Sequence, residues 1–119
     1  MMSERDRLAQ IASAMVRFRR TRFELLPAEL FSEPAWDMLL ILFVADSEGE
    51  RMTGRKVCEQ TGTADTIMSS WMKHLSSIGF IVGDGSGDLD DPLTLSGEAF
   101  EKMERVMTEA TVLREAISN

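Results

Sequence analysis

The chain has 119 residues, of which 44% are hydrophobic, and its formal net charge is −7. This length fits one domain, and the composition excludes wholesale disorder because enough apolar residues are present to form a core. The longest apolar run, Met38 to Ala45, is far shorter than the roughly 20 residues that span a bilayer.

The single cysteine excludes an internal disulfide and fits a reducing compartment. The first ten residues, MMSERDRLAQ, mix charges early and contain no apolar signal core, so we expect no export signal and a cytoplasmic protein.

Charge is distributed unevenly along the chain. Residues 1–22 carry six arginines and two acidic residues, whereas the rest of the chain carries seven basic and eighteen acidic residues. The excess of acidic residues after residue 22 gives most of the protein surface a negative charge, which repels a nucleic-acid duplex. Any DNA binding must therefore use a concentrated basic patch, or two patches brought together by dimerisation.

Apolar residues at helical spacing predict two helices in the first part of the chain. The first runs from about Ser3 to Leu26 and ends before Pro27, which cannot continue a helix. The second follows Pro34, a residue that a first helical turn accepts, and its wide apolar stripe predicts a buried helix.

Two shorter helices are predicted next, separated by a glycine. Thr53 is suited to cap a short helix that Gly62 ends, and Arg51–Met52 before it is predicted as a very short strand. The following helix is predicted to start at the cap Thr63 and to run to about Ile78.

A helical wheel divides that last helix into two faces. An apolar cluster of Ile67, Trp71, Leu75 and Ile78 predicts the buried side. The opposite side carries polar residues, which we expect to be exposed: Asp65, Thr66, Ser69, Lys73 and Ser76.

A hairpin and a long helix complete the chain. The segments Phe80–Val82 and Pro92–Leu95 predict two strands around a turn rich in Gly and Asp. Apolar residues at steps of three and four then predict a helix suited to a helix–helix seam: Phe100, Met103, Met107, Ala110 and Ile117.

This order predicts a mainly α protein with a small β-wing, that is, a winged helix-turn-helix with flanking N- and C-terminal helices. We expect a single domain over 1–119, with an N-terminal helix at 1–27, a winged helix-turn-helix core at 33–95 and a C-terminal helix at 95–119. The flanking helices have little else to pack against in so short a chain, which predicts that they dimerise.

At this point the sequence resembles the MarR family of bacterial winged-helix transcription regulators. The likeness covers roughly residues 17–110 and includes the two-helix segment TGRKVCEQTGTADTIMSSWMKHLSSIGFIV and the element LTLSG, Leu93 to Gly97. The resemblance implies a homodimer that binds double-stranded DNA at a pseudo-palindromic operator, with the second of the paired helices in the major groove. Some family members release DNA when they bind a small aromatic effector, or when a cysteine is oxidised.

The predicted DNA-contacting residues lie on the paired helices, with two arginines of the first helix as further candidates: Arg55, Lys56, Thr63, Asp65, Thr66, Ser69, Ser70 and Lys73, with Arg17 and Arg20. Hydroxyl groups and lysine bond phosphates or base edges, and an aspartate accepts a hydrogen bond from cytosine N4. The sequence departs from the family pattern because its wing segment, DGSGDLDDP, holds four aspartates and no basic residue.

Other residues of the chain bear on other functions. A winged-helix protein-interaction module that binds a basic partner through the acidic wing is the alternative to DNA binding. Cys58 is more typical of a small buried side chain than of a redox sensor. The wing lacks the glycine and glutamate of a calcium loop, and no enzyme motif, cofactor site or metal site is predicted.

Overall fold

The computed structural model of the protein describes residues 3–83 and 85–118, without the side chains of residues 112, 113 and 116–118. Over this part of the chain 71% of the residues are helical, in five helices, and the rest includes a small three-stranded antiparallel sheet. The predicted mainly α class with a small β element is therefore confirmed. Among the described residues, no helix combines the length and the apolar character that a membrane span requires.

The elements in chain order are α1 (Glu4–Leu25), a 3₁₀ helix (Ala28–Phe31), α2 (Ala35–Glu48), β1 (Met52–Thr53), α3 (Gly54–Thr61), α4 (Asp65–Ser77), β2 (Ile81–Val82), β3 (Pro92–Leu95) and α5 (Gly97–Ser118). The sequence predicted each α-helix and strand to within a few residues, whereas the 3₁₀ helix was not predicted. The chain divides into two compact units. One is formed by α1 and by α5 from Lys102 onward, and the other is Glu29–Glu101.

The first unit consists of two long helices. Ser3 caps α1 by accepting a hydrogen bond from the backbone N–H of Asp6 at 3.1 Å, and Asp6 accepts one in return from the backbone of Ser3. In α5 the side chains of Met103 and Val106 are fully buried. The side chain of Ile117, which was also predicted to line a seam, lies outside the described residues.

The core of the second unit surrounds α2. Met38, Leu39 and Leu42 are completely buried, as are Val57 of α3 and Leu75 of α4. Burial of side chains of this size contributes about 1.5–3 kcal/mol each, so this cluster contributes substantially to the unit's stability. The core of this unit thus contains side chains of α2, α3 and α4.

The sheet connects the paired helices to the hairpin. Strand β3 lies in the centre and pairs antiparallel with β1 through Met52 and Leu93, and with β2 through Ile81 and Leu95. The backbone N–H of Leu95 also donates a 2.8 Å hydrogen bond to the carboxylate of Asp46 on α2. The base of the hairpin is therefore fixed to the same helix that forms the core.

Two predictions about α4 were wrong. Its buried residues are Met68, Met72 and Leu75, whereas Ile67 is 49% exposed and Ile78 is 37% exposed. The helix is thus rotated by about 70° from the predicted orientation, at 100° per residue. Leu75 belongs both to the predicted stripe with Ile67 and Ile78 and to the observed stripe with Met68 and Met72. The flexible, unbranched methionines fill the interior instead of the isoleucines.

The second error concerns the start of α4. The N-cap residue is Ala64, which offers no side-chain hydrogen bond, and the hydroxyl of Thr63 lies 2.7 Å from that of Thr61. Thr61 in turn bonds the carbonyl of Val57. Thr63 does not cap the helix because its hydroxyl is already engaged by the end of α3.

Candidate nucleic-acid interface

The helices α3 and α4 form a pair joined by a short turn. The side chain of Thr53 accepts a hydrogen bond from the backbone of Lys56 and so begins α3. Gly62 ends α3 in the left-handed conformation, with a φ of 73° that favours glycine. The sequence predicted that Thr53 caps α3 and that Gly62 ends it, and both predictions are confirmed.

One face of α4 is exposed and polar. Thr66, Ser70 and Lys73, at steps of four and three residues, are all exposed, and Asp65 and Ile67 are exposed beside them. Side chains with these spacings lie on one side of a helix. The structure therefore brings four of the predicted contact residues together with one apolar residue, Ile67, that the sequence had placed inside.

Ser69 occupies a different position from the one expected. It is half-buried, and its hydroxyl donates a 2.8 Å hydrogen bond to the carbonyl of Gly87 in the loop between β2 and β3. A side chain at Gly87 would lie within 2.7 Å of both Ser69 and Lys73. Ser69 therefore holds the hairpin loop against α4, and the glycine allows the loop to come this close.

Arg55 is engaged by carboxylates of its own chain. Its Nε and Nη2 atoms donate to the two carboxylate oxygens of Asp90, at 2.7 and 3.3 Å, and its Nη1 atom lies 3.9 Å from the carboxylate of Asp65. The hydrogen bond from Arg55 lowers the pKa of Asp90, and the same bond raises the pKa of Arg55. Two predicted DNA-contacting residues, Arg55 and Asp65, are thus adjacent and partly neutralise each other.

The other predicted cations have separate surroundings. Lys56 is exposed, and its Nζ atom donates a 3.2 Å hydrogen bond to the carbonyl of Arg51. Arg17 and Arg20 lie on α1, in the first unit, where both are exposed. Lys56 lies on α3, one of the paired helices, and its bond to a neutral carbonyl leaves its charge available to a phosphate.

The loop between β2 and β3 is acidic and structured by its own hydrogen bonds. The carboxylate of Asp88 accepts the backbone N–H of Asp90 at 2.9 Å, and Asp91 accepts a bond from Ser86 at 3.5 Å. Asp84, the first of the four aspartates in this loop, lies outside the described residues. Within 3–83 and 85–118 no three acidic, Cys or His side chains gather as metal ligands.

Comparisons of the chain with protein-family models, with curated proteins and with solved structures give no significant match.

Cys58 is buried on the inner side of α3. Burial raises the pKa of its thiol, and the neighbouring carboxylate of Asp65 raises it further, while Arg55 opposes this only in part. A thiol with a raised pKa forms little of the reactive thiolate near neutral pH. This environment fits the packing role predicted for Cys58.

Two open grooves flank the paired helices. One, of about 250 Å³, is mainly apolar and is lined by α2, β1 and α3, including Leu40, Val44 and Met52. The other, of about 380 Å³, lies between the start of α2 and the α3–α4 turn, and Glu33, Asp37 and Ile67 line it. The first has the apolar walls that a small ligand prefers, whereas the second combines an apolar side chain with two carboxylates.

Sequence reasoning missed the contacts between the hairpin loop and the paired helices. Gly87 and Asp90 were assigned to a solvated turn, yet they bond Ser69 and Arg55 across 18 and 35 residues of chain. The only signal was the acidic run itself, which is suited to pair with a cation of α3. No local pattern shows which cation that is.

Proposed function

We propose that the protein is a DNA-binding transcriptional regulator of the winged helix-turn-helix type, similar to the MarR family, with α4 as the reading helix and the β2–β3 hairpin as the wing. The observation that carries this proposal is the exposed face of Thr66, Ser70 and Lys73 on the second of two paired helices. A helix fits the major groove, and short side chains allow its close approach to base edges.

The side chains of this face can make a small number of contacts to bases and phosphates, which suits DNA binding of modest affinity. Thr66 and Ser70 can bond phosphates or bases, Lys73 can bond a phosphate or guanine, and Ile67 can contact a thymine methyl group. Few phosphates are neutralised per subunit, so affinity depends only moderately on salt. The carboxylate of Asp65 only accepts hydrogen bonds, so it can bond only a base that donates one, as cytosine does through N4.

Dimerisation is part of the proposal. Helix α1 exposes Leu8, Met15, Val16 and Phe23, each between 45% and 58% exposed, at spacings of seven and eight residues. An exposed apolar stripe of this kind marks a surface that another protein surface covers. A second copy contributes the same stripe, and a two-fold dimer places two reading helices about one DNA turn apart, on a pseudo-palindromic operator.

A specific observation favours a second candidate function, that of a protein-interaction module. Ile67 and Ile78 are exposed on α4, and three carboxylates lie along the same region: Glu33 and Asp37 beside Ile67, and Glu29 bonded to His74 at 3.4 Å. An apolar stripe with an acidic border fits a basic amphipathic segment of a partner protein.

Sequencing of retained genomic fragments separates the two candidates. The immobilised protein is incubated with sheared DNA of its own genome, and the retained fragments are sequenced. The regulator proposal predicts enrichment of an inverted repeat whose half-sites lie about one helical turn apart. Retention of fragments that share no repeat would contradict an operator, and no retention would favour the interaction module.

A further inference from the structure

The loop between β2 and β3, called the wing loop below, contacts the paired helices through three of its residues. Gly87 accepts the hydroxyl of Ser69, Leu89 accepts the backbone N–H of Arg55 at 3.0 Å, and Asp90 accepts the Arg55 guanidinium through two hydrogen bonds. The loop is thus bound to the start of α3 as well as to α4, the proposed reading helix.

The carboxylate of Asp90 occupies the part of Arg55 that a phosphate uses. Guanidinium groups bind carboxylates and phosphates through the same pair of parallel N–H donors. Nε and Nη2 are both bonded to Asp90, and Nη1 faces Asp65 at 3.9 Å. A phosphate therefore bonds the Nε–Nη2 pair of Arg55 only after Asp90 has withdrawn, and the second pair of donors, Nη1 with Nη2, lies close to the carboxylate of Asp65.

We infer that Asp90 is an intramolecular competitor of the DNA backbone: the wing holds Arg55 away from phosphate, and binding of DNA exchanges one partner of Arg55 for the other. This inference rests on the proposed function. In that function, the role of the acidic wing is to reduce the affinity of the protein for DNA of arbitrary sequence.

The exchange is energetically feasible because the pair is exposed. The side chain of Arg55 is 49% exposed and that of Asp90 is 69% exposed. Exposed ion pairs contribute little to stability, since water and salt screen them. A phosphate held close by the other contacts of the site can replace Asp90, whereas a passing phosphate without those contacts gains little from doing so.

Asp90→Asn tests the inference, and Asp91→Asn is its matched control. Asparagine keeps the size of the side chain and one acceptor for Arg55 but removes the charge. Asp91 follows directly in the loop, and its carboxylate bonds Ser86. Both variants change the net charge equally, so a general decrease in repulsion affects both.

DNA affinity of each variant is measured by fluorescence anisotropy with a mixed-sequence duplex over a range of salt concentrations. We expect Asp90→Asn to bind several-fold more tightly than Asp91→Asn. On this mixed-sequence duplex Arg55 stays bonded to Asp90 in the Asp91→Asn control. We therefore also expect the plot of log affinity against log salt to be steeper for Asp90→Asn by roughly 0.9 per subunit, the value for one additional neutralised phosphate. Thermal melting monitors folding, and Asp90→Ser is a second variant for the same comparison.

The same substitutions in an Arg55→Gln background complete the test. Without the guanidinium, the Asp90 and Asp91 variants should bind equally and with equal salt slopes. A gain from Asp90→Asn that persists in this background would overturn the inference, as would equal affinities of the two variants in the Arg55 background. Both results leave DNA binding intact, whereas failure of every protein, the unsubstituted chain included, to bind DNA would overturn the proposed function as well.

Discussion

The hydroxyl of Ser69 donates a 2.8 Å hydrogen bond to the carbonyl of Gly87, across 18 residues of chain. This contact joins α4 to the loop between β2 and β3, and a Cβ atom on Gly87 would lie 2.5 Å from the same hydroxyl. The loop can lie this close to α4 because Ser69 donates the hydrogen bond and Gly87 has no side chain.

A substitution of Gly87 tests this contact. Gly85 and Gly87 share a φ of 76°, so alanine at either is strained, by about 1 kcal/mol or more. A Cβ at Gly85 meets its nearest neighbour only at 3.5 Å. We expect Gly87→Ala to lower the free energy of unfolding by about 1 kcal/mol more than Gly85→Ala, because it also breaks the Ser69 bond. Urea unfolding measures both, and equal losses would show that the loop does not rest on Ser69.

The rotation of α4 is tested by two adjacent residues. Met68 is fully buried and Ile67 is 49% exposed. We expect Met68→Ala to lower the free energy of unfolding by about 2–5 kcal/mol, because it leaves a cavity in the core. Ile67→Ala should cost less than about 1 kcal/mol. Urea unfolding of the two variants is the measurement, and the reverse order would restore the orientation predicted from the sequence.

Lys73 is the cation on the exposed face of α4. We expect Lys73→Ala to weaken DNA binding about five- to tenfold and to lower the salt slope by roughly 0.9 per subunit, since one phosphate contact is lost. Unfolding free energy should stay within about 0.5 kcal/mol of the unsubstituted value. Arg105→Ala, which removes an equal charge from an exposed position on α5, is the control. Unchanged affinity in the Lys73 variant would refute this docking surface.

The ion pair of Arg55 and Asp90 predicts a dependence on acid. Because Arg55 lowers the folded-state pKa of Asp90 below its ordinary value of 3.8, the pair stabilises the fold above about that pH. This stabilisation is lost as the pH falls through the folded-state pKa. Urea unfolding at neutral pH and near pH 3 should show the unsubstituted protein losing its advantage over Asp90→Asn in acid. A difference that is constant with pH would contradict this prediction.

Cys58 should react slowly with thiol reagents. Its side chain is buried and its pKa is raised, so little thiolate is present near neutral pH. We expect a coloured disulfide reagent to react at least about tenfold faster when the protein is unfolded in urea than when it is folded. The release of the coloured thiol gives both rates. Equal rates would instead indicate an accessible thiol and would favour a redox role.

Local sequence signals sufficed for most of the fold. Thr53 and Gly62 mark the two ends of α3 because capping and left-handed turns depend on a few adjacent residues. Pro27, just after α1, acts in the same way. Such signals predict where an element lies along the chain.

Local signals did not predict which side of α4 is buried or what Arg55 contacts. Ile67 and Met68 are both apolar, and only packing against the other elements of the unit decides between them. Arg55 and Asp90 are 35 residues apart, and their pairing depends on how the sheet places the loop. Of the predicted contact residues, Thr66, Ser70 and Lys73 are exposed as expected, whereas Ser69 and Arg55 bond the loop between β2 and β3.

The central claim, that the exposed face of α4 binds DNA, is tested most directly by a fluorescence-anisotropy titration of a mixed-sequence duplex. The titration is made at roughly 50 mM and at roughly 150 mM salt, the range over which phosphate contacts weaken measurably. We predict binding at the lower concentration that weakens at the higher one. Absence of binding at both, by a protein shown to be folded and dimeric, would contradict the claim and leave the protein-interaction module as the function to pursue.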